Sequence, residues 1–502
     1  MTDTILALDI GLTNGKAVLF AADGRLIARA SHPYRTLYPQ PDWAEQDPED
    51  WWRAVNAGLR DLRRIAPLEL ERVAAISITG HMHALVCLGE EGSSLGPALV
   101  LGDQRSVAEA EAISARVGLE RIYRMTGARM DASMPLAKLC WLQRHLPEVH
   151  RDARAFIACK DWLRHRLTGD RLTDPVDACG TSLYDISTGA WSPELVDVAG
   201  IRSEQLPRVC DPCALAGKLL PAAARALGLK AGIPVVVGAG DDVEVLGNNL
   251  MQPGLSLEHL GTTGSILTCA DRPVYDPEMA IELYPHTAPG LWVLGGSITS
   301  AGLARGWAEQ TLAPAAKAGG LSALVQPPNL ERPLVFVPHL TGERCPAWDP
   351  RARGVWLGLT PAHTAADLQR AVLEGVAFAL KGVLQRIESL VGRQAHLTVG
   401  GGVSLGDPWL ATRAAVYDRP LRLLDAPEPT ALGAMIVAAV GVGLYPTLAE
   451  AAARVTADGA EIEPDPALAR AYRELYELYL AASEASRQAL RRWQAAHDAR
   501  MP

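Results

Sequence analysis

The stretch "TILALDIGLTNGKAVLFAADGRLIARAS", residues 4–31, decides the fold class. Three apolar runs, 5–10, 16–21 and 25–31, are separated by short turns at 11–15 and 22–24, which predicts an antiparallel meander of three strands. A dinucleotide-binding or P-loop domain would instead run from its first strand through a glycine loop into a helix. Because no helical pattern follows the first turn, we exclude those two classes.

The same pattern returns far downstream. "LSLEHL" at 255–260 meets a Gly-Thr-Thr-Gly turn at 261–264 and continues into "SILTCA" at 265–270, which predicts a second hairpin. Two similar hairpins indicate a duplicated unit, and "NNLMQPG" at 248–254 supplies turn residues for the boundary. We therefore predict two lobes, residues 1–248 and 249–502.

The rest of the chain mixes helical and strand patterns, typical of an α/β protein. Apolar periodicity predicts helices at 48–65, 107–117, 135–146 and 364–390, and strands at 73–79, 334–340 and 396–402. The final stretch, 464–497, is charged and alanine-rich, and we interpret it as a solvated outer helix.

Composition limits the partners of the chain. With 502 residues, 48% hydrophobic and 21% charged, two or three packed domains are expected. The net charge of −9 and the lack of long basic blocks argue against nucleic acid or an anionic membrane as partner. The chain begins without a signal-like segment and has no apolar run of membrane-spanning length. We expect a cytoplasmic protein acting on small molecules.

The first turn holds candidate phosphate ligands. Asp9 ends an apolar strand, and Thr13, Asn14 and Lys16 follow it. Backbone amides and a hydroxyl in such a hairpin can hold phosphate, and the carboxylate can hold Mg²⁺ directly or through water. Asn-Gly is also the commonest hairpin turn, so the motif alone is ambiguous. The second turn, 261–264, favours a nucleotide held by two hairpins.

Three consecutive glycines, residues 400–402, follow the strand pattern "HLTV". Glycines let a flat ring or a ribose approach the backbone closely, although a glycine run after a strand is also a common turn.

Two histidines flank a methionine in "SITGHMH", residues 77–83. If His81 and His83 lie on a strand, both rings face the same side, and a zinc pair is conceivable. Because no third ligand lies close in sequence, binding of sugar hydroxyls or a role as core histidines are the alternatives.

Two pairs of charged residues follow apolar strands. Asp103 and Arg105 in "LGDQRS" form either a surface ion pair or part of a ligand site. Asp241 and Asp242 in "VVVGAGDDVEV", residues 235–245, are either solvated charges in a tight loop or carboxylates that meet a substrate.

Eleven motifs, in order along the chain, carry a family resemblance. They are "LALDIGLTNGKAVLF", "DWAEQDPEDWW", "GHMHALVCL", "DQRS", "SMPLAKLCWLQRH", "CKDWLRHRLTG", "GAGDD", "LGTTGS", "PHLTGERCPAWDPRARGVWLGLT", "GGGVSLGDPW" and "ALGAMIVAAVGVG". The chain resembles the FGGY carbohydrate kinases over nearly its whole length, and among them most closely those that act on D-xylulose. Pro135, Lys138 and Trp141 match the family signature.

The resemblance implies an α/β fold of two actin-like lobes, each with a ribonuclease H-like core, that bind ATP, Mg²⁺ and a sugar. It implies these roles: first phosphate hairpin, Asp9 with Thr13, Asn14 and Lys16; second hairpin, Gly261, Thr262 and Thr263; adenosine loop, Gly401 and Gly402; sugar contacts, Met82, His83 and Asp103; catalytic base, Asp241. Asp9 and Asp241 are the expected Mg²⁺ ligands, and dimers are common among such kinases, so a homodimer is left open.

The implied reaction is phosphorylation of D-xylulose to D-xylulose 5-phosphate. Three departures from the usual pattern surround the sugar: His81 stands for glutamine, Leu101 and Gly102 replace a tryptophan before Asp103, and Asp242, itself a candidate sugar contact, replaces an amide. Kinases of gluconate, ribulose or a polyol, a non-metabolic actin-like ATPase and a zinc hydrolase are the alternatives.

Overall fold

The computed structural model describes residues 3–90, 92–312, 328–400, 407–424, 426, 428–456 and 459–498. The chain packs into two compact units. The first comprises Met1–Met251, Leu283–Trp292 and Glu428–Ala457, and the second comprises Gln252–Glu282, Val293–Pro427 and Asp458–Pro502. Two segments from later in the chain, Leu283–Trp292 and Glu428–Ala457, thus pack with the first unit. The division into lobes 1–248 and 249–502 stays a prediction.

The first unit contains most of the secondary structure. Its strands are β1 (Thr4–Ile10), β2 (Asn14–Ala21), β3 (Leu26–Pro33), β4 (Glu45–Gln46), β5 (Val73–Gly80), β6 (Val86–Leu88), β7 (Ala98–Leu99), β8 (Ala155–Ile157), β9 (Leu172–Thr173), β10 (Tyr184–Asp185), β11 (Ala190–Trp191), β12 (Arg208–Val209), β13 (Leu215–Lys218) and β14 (Pro234–Val236). Its helices are α1 (Pro48–Ile65), α2 (Pro67–Leu70), α3 (Val107–Val117), α4 (Leu119–Thr126), α5 (Pro135–His145), α6 (Pro147–Asp152), α7 (Cys159–Thr168), α8 (Pro175–Cys179), α9 (Pro193–Val198), α10 (Pro221–Leu227) and α11 (Glu244–Gly247).

The second unit continues the numbering. Its strands are β15 (Leu255–Leu260), β16 (Gly264–Ala270), β18 (Trp292–Ile298), β19 (Val335–Val337), β20 (Val355–Leu357), β21 (His396–Gly400), β22 (Leu421–Leu423) and β23 (Glu461–Ile462). Strand β17 (Glu282–Pro285) begins at the unit boundary, and its other three residues belong to the first unit. The remaining helices are α12 (Gly302–Leu312), α13 (Ala365–Val391), α14 (Pro408–Tyr417), α15 (Pro429–Gly441), α16 (Leu448–Val455) and α17 (Pro466–Asp498), of which α15 and α16 belong to the first unit.

The main sheet of the first unit has the order β13-β14-β5-β1-β2-β3. The predicted meander β1-β2-β3 is confirmed, with antiparallel pairing of β1 to β2 and of β2 to β3. Strand β5 is parallel to β1 and to β14. All seven residues of β1 are buried, as expected for a central strand with parallel and antiparallel neighbours.

The second unit repeats this topology. Its sheet runs β18-β16-β15-β21-β22-β23, in which β15 pairs antiparallel to β16 and parallel to β21. The parallel pair β21-β22 and the antiparallel pair β22-β23 correspond to β5-β14 and β14-β13 of the first sheet. The predicted duplication is therefore confirmed by strand order and direction.

Helix α15 completes the first unit although it lies late in the chain. Residues 431–439 are all buried, and the helix packs against β1 and β5. A helix that is apolar all round is expected in a core and not at a surface. A β-carbon on Gly433 would lie 2.1 Å from the carbonyl oxygen of Val243, so the glycine permits close contact with the turn that follows β14.

The last helix corrects one prediction. We interpreted 464–497 as a solvated outer helix, but α17 packs against α14 and β19. Tyr472, Leu475, Tyr476 and Tyr479 are buried at helical spacing. The mixed charges occupy one side of this helix, and the aromatic stripe on the other side belongs to the core of the second unit. Among the described residues, no helix is both long and apolar enough to cross a membrane.

Candidate active site

The candidate residues of the first unit follow three adjacent strands. Because β1, β5 and β14 are parallel neighbours, their carboxyl ends meet at one edge of the sheet. That edge carries Asp9 near the end of β1, the segment 81–83 after β5, and Asp241 with Asp242 after β14. Ligands of open α/β sheets bind at such an edge.

The first hairpin has a firmly held backbone and an exposed tip. The Gly11 amide donates to the Asn14 carbonyl at 3.0 Å, and the Tyr34 hydroxyl donates to the carbonyls of both residues. Leu12 and Thr13 at the tip are exposed, and Asn14 Nδ2 donates to Thr13 Oγ1 at 3.3 Å. The turn therefore presents a hydroxyl and backbone groups on a fixed frame.

A series of ion pairs connects Asp9 with Glu428, the residue before helix α15. Lys16 lies opposite Asp9 on β2, and its Nζ is 3.5 Å from Asp9 Oδ2 and 2.9 Å from Glu428 Oε2. Arg29 NH1 lies 2.6 Å from Glu428 Oε1. Glu428 is 412 residues from Lys16 in the sequence, so sequence reasoning missed it.

Burial sets the charge state of this group. It raises the pKa of the Asp9 carboxyl; Lys16 opposes that shift, whereas Glu428 and Glu244 add to it. For Lys16, burial favours the neutral amine, but Asp9 and Glu428 outweigh it and raise the pKa of the ammonium. Lys16 is thus held as a cation beside a carboxylate that burial destabilises.

The second hairpin belongs to the second unit and is built in the same way. The Gly261 amide donates to the Thr263 carbonyl at 2.9 Å, and Gly261, Thr262 and Thr263 are all exposed. Helix α12 begins beside it, and the amides of Gly302 and Leu303 donate to the carbonyls of Gly261 and Thr262. Gly401 and Gly402, the predicted adenosine loop, lie outside the described residues.

Met82 connects the segment after β5 with the Asp241 turn. A β-carbon on Gly240 would lie 2.9 Å from Met82 Cγ, and one on Gly180 would lie 2.6 Å from Met82 Cε. Asp241 begins a 3₁₀ turn directly after Gly240, and Asp241 and Asp242 are both half-buried. The structure therefore brings the predicted sugar contact Met82 close to the turn that carries the predicted base.

A buried ion cluster lies beneath this turn. Lys160 Nζ is 2.6 Å from Asp161 Oδ1, 3.0 Å from Asp174 Oδ1 and 3.2 Å from Asp177 Oδ2, and none of the four side chains is more than 2% exposed. Burial opposes the charge on Lys160, but the three carboxylates outweigh it and raise its pKa. A β-carbon on Gly240 would lie 3.0 Å from Asp177 Oδ1, so the cluster reaches the Asp241 turn.

The zinc hypothesis for the two histidines rests on a wrong premise. Strand β5 ends at Gly80, so His81 and His83 do not share a strand face. His81 is buried, its Nδ1 lies 3.0 Å from the Ile10 carbonyl, and burial lowers its pKa to about 4. His83 instead lies 2.8 Å from the Gly180 carbonyl through its own Nδ1. His81 is a core histidine, and only His83 stays half-buried at the site.

The surface interpretation of Asp103 and Arg105 is also corrected. The Asp103 side chain is fully buried and Arg105 is 2% exposed. Arg105 Nε lies 2.9 Å from both carboxylate oxygens, Asp103 Oδ2 accepts from the Ala44 amide at 2.7 Å, and the guanidinium lies over the Trp43 ring. Because these partners occupy its oxygens, Asp103 is better suited to shape the loop than to bind a ligand directly.

Lys138 of the signature segment is fully buried as well. Its Nζ donates to the carbonyls of His83 at 2.7 Å, Val100 at 3.0 Å and Leu99 at 3.3 Å. Sequence reasoning noted this lysine only as a family match, and its acceptors come from two separate segments.

Among the described residues, no three His, Cys, Asp or Glu side chains are grouped as a protein-only metal site. Mg²⁺ in phosphoryl-transfer sites commonly uses only one or two carboxylates together with water and substrate phosphates. Asp9 fits such a role, because its charge is destabilised by burial and by two further acids, and a divalent cation would offset that.

Comparison with known proteins identifies the family. Residues 4–246 match the model of the N-terminal domain of the FGGY family of carbohydrate kinases, and residues 259–442 match that of its C-terminal domain. The chain belongs to the FGGY family of carbohydrate kinases. Accordingly, it is an ATP-dependent sugar phosphotransferase with the actin-like ATPase fold, as the resemblance implied.

Individual relatives of this FGGY kinase differ in substrate. The xylulose kinase of Escherichia coli (strain K12) is 31% identical over 417 residues, which cover 83% of this chain and 85% of that protein. The gluconokinase of Bacillus subtilis (strain 168) is 29% identical over 461 residues, covering 89% and 88%. The crystal structure of ligand-bound xylulose kinase from Lactobacillus acidophilus has a TM-score of 0.90 and 29% identity, covering 96% and 98%.

We expect Asp9→Asn to make the kinase more stable and less active. Because burial raises the pKa of Asp9, the ionised carboxylate is less favourable in the folded protein than in the unfolded chain. The folded protein binds the proton more tightly, so stability is lost as pH rises from about 4 through the folded pKa, and the neutral amide avoids that loss. Turnover should fall ~10²-fold or more, since the carboxylate that would hold Mg²⁺ beside the phosphates is removed.

Urea unfolding at pH 7 and pH 4 measures this effect. The variant should be more stable than wild type at pH 7, and the difference should vanish near pH 4. Asp197→Asn, an exposed carboxylate 3.5 Å from Arg116, is the control and should change stability by less than about 0.5 kcal/mol. A less stable Asp9→Asn variant at pH 7 would show that the Lys16 ion pair outweighs burial.

Proposed function

We propose that this kinase phosphorylates D-xylulose to D-xylulose 5-phosphate in xylose metabolism, with Asp241 as the general base. The supporting geometry is the edge where Asp9, the Met82-His83 pair and the Asp241 turn follow three parallel neighbouring strands. Relatives named xylulose kinase are among the most similar proteins. Met82 and His83 are the residues that the family resemblance assigns to the sugar.

The charge of the sugar-side segments supports a neutral substrate. Two cationic side chains contact the segments 82–83 and 99–105, and both already have partners within the protein. Arg105 binds Asp103 and Glu45, and Lys138 binds three backbone carbonyls. The turn after β14 contributes Asp241 and Asp242. An aldonate carboxylate would be disfavoured beside these acids, whereas the hydroxyls of a ketose would accept or donate hydrogen bonds there.

The reaction needs few protein groups. A sugar hydroxyl attacks the γ-phosphorus of ATP in line with the departing ADP, and Asp241 accepts the hydroxyl proton as the new bond forms. Lys16 is held charged and near Asp9, where it can bind a phosphate oxygen. Thr13, exposed at the tip of the first hairpin, offers a hydroxyl donor to another phosphate oxygen.

Magnesium would be held by Asp9 and Asp241, directly or through water. When bound, the ion neutralises part of the triphosphate charge. Asp9 is the better supported ligand, because the protein already keeps its carboxylate in a buried and acidic setting.

Gluconate is the second candidate substrate. The gluconokinase relative is nearly as similar as the xylulose kinase, and His81, Leu101, Gly102 and Asp242 depart from the usual xylulokinase pattern. The two hypotheses differ in the charge of the substrate, so a direct comparison separates them.

The test of the function is ADP release from ATP and Mg²⁺ with a panel of D-xylulose, L-xylulose, D-ribulose, L-ribulose, gluconate, erythritol and glycerol. We expect kcat/KM to be highest for D-xylulose. A higher value for any other acceptor would refute the proposal, and ATP hydrolysis that no acceptor stimulates would favour an actin-like ATPase.

Asp241→Asn should fold, bind sugar and lose turnover by a factor of ~10² to 10⁴, because the amide cannot accept the hydroxyl proton. Steady-state kinetics with D-xylulose measure kcat, and intrinsic tryptophan fluorescence reports sugar binding. Asp197→Asn on the surface is the matched control. Turnover near that of wild type in a folded Asp241→Asn protein would remove Asp241 from the mechanism.

His83→Asn should raise the KM for D-xylulose about tenfold and leave kcat nearly unchanged, since a binding contact is lost and not the base. His83 has φ of 64°, and asparagine tolerates this left-handed conformation, so backbone strain is not added. His363→Asn, at a half-buried histidine of the second unit, is the control. An unaltered sugar KM would place the His83 ring outside the sugar site.

A further inference from the structure

Helix α5 places a lysine side chain in the interior of the first unit. Lys138 has no exposed surface, and its ammonium donates to three backbone carbonyls, those of His83, Leu99 and Val100. An ammonium has three N–H donors, so these three acceptors use its full capacity. A buried lysine more commonly pairs with carboxylates, as Lys160 does in the same unit.

The three carbonyls belong to the two segments that carry the sugar-side residues. His83, the residue after Met82, has a left-handed backbone with φ of 64°. Its carbonyl therefore does not take part in the regular hydrogen bonding of a strand. The Val100 carbonyl also accepts from the Asp103 amide at 3.1 Å, in the turn that leads to Asp103. One ammonium therefore joins the segment 82–83 to the turn 100–103.

The surroundings of Lys138 act on its charge in opposite directions. Burial lowers its pKa to about 7, Asp103 and Asp131 oppose that change, and Arg105 adds to it. An apolar side chain of the same length would fill the space but would remove the Lys138 donor from all three carbonyls.

We propose that Lys138 is a positioning residue for the sugar: its ammonium fixes the spacing between the Met82-His83 segment and the Asp103 turn. This inference rests on the proposed function in one respect: the proposed function assigns both segments to the acceptor sugar. Lys138 acts through their backbone and does not contact the reacting atoms.

Two variants and one control test the inference. Lys138→Met keeps the length of the side chain and removes all donors, and Lys138→Gln keeps an amide with two N–H groups. Lys230→Met is the control, because Lys230 also donates to a backbone carbonyl, that of Glu71 at 2.8 Å, but on the surface. Each protein is assayed with ATP, Mg²⁺ and D-xylulose after its folding is checked by thermal unfolding.

We expect Lys138→Met to raise the KM for D-xylulose at least tenfold, with the KM for ATP within twofold and kcat at saturating sugar within about threefold of wild type. Lys138→Gln should lie between wild type and Lys138→Met, and Lys230→Met should match wild type. A purely structural role would instead lower kcat through loss of active protein and leave the sugar KM unchanged, and that result would overturn the inference. Failure of both Lys138 variants to fold would also overturn it.

Hydrogen exchange followed by mass spectrometry gives a readout that does not depend on the sugar. In Lys138→Met, peptides covering residues 81–105 should exchange faster, and peptides of the second unit should be unchanged. If wild type accepts none of the sugars in the panel, the proposed function fails, while the exchange pattern still decides the role of Lys138. Unchanged exchange across 81–105 would refute it.

Discussion

Strand β1 is fully buried and also carries the carboxylate of Asp9, and the ion pair with Lys16 offsets part of the cost of burying that carboxylate. The strands on both sides of β1 exclude water from Asp9, which raises the pKa of the carboxyl. Lys16 offsets the charge from the adjacent strand, and Glu428 together with Arg29 fixes Lys16 in turn. Glu428 directly precedes helix α15, so its ion pairs with Lys16 and Arg29 attach this late segment of the chain to β2 and β3 of the first unit.

Two buried lysines show how differently a protein can use the same side chain. Lys160 is surrounded by three carboxylates, stays charged and binds α7 to α8 beneath the Asp241 turn. Lys138 is surrounded mainly by carbonyl dipoles, and burial lowers its pKa to about 7. Carboxylates repay the desolvation of an ammonium better than carbonyls do, because a full charge interacts more strongly than a dipole.

Local patterns predicted the elements well where periodicity and turn chemistry agree. Helices α1 and α3 have the predicted limits, and the β1-β2-β3 meander and the β15-β16 hairpin lie where the turns indicated. The predictions failed where partners come from elsewhere in the chain. A surface ion pair was one of two alternatives for Asp103 and Arg105, whereas Trp43, Glu45 and Asp103 enclose Arg105 in the structure. The aromatic stripe of α17 was not recognised because charged residues alternate with it in the sequence.

The two hairpins, their duplication and the family could be predicted before the structure, because they depend on contiguous residues and on motifs in a fixed order. Which charged side chains are buried, and which partners they have, became known only from the tertiary structure. Asp9, Asp103 and Lys138 read alike as polar residues near strand ends or in a helix, and only packing shows that each is buried with its own partners. Burial and charge pairing depend on contacts between distant segments, and local pattern carries no information about those contacts.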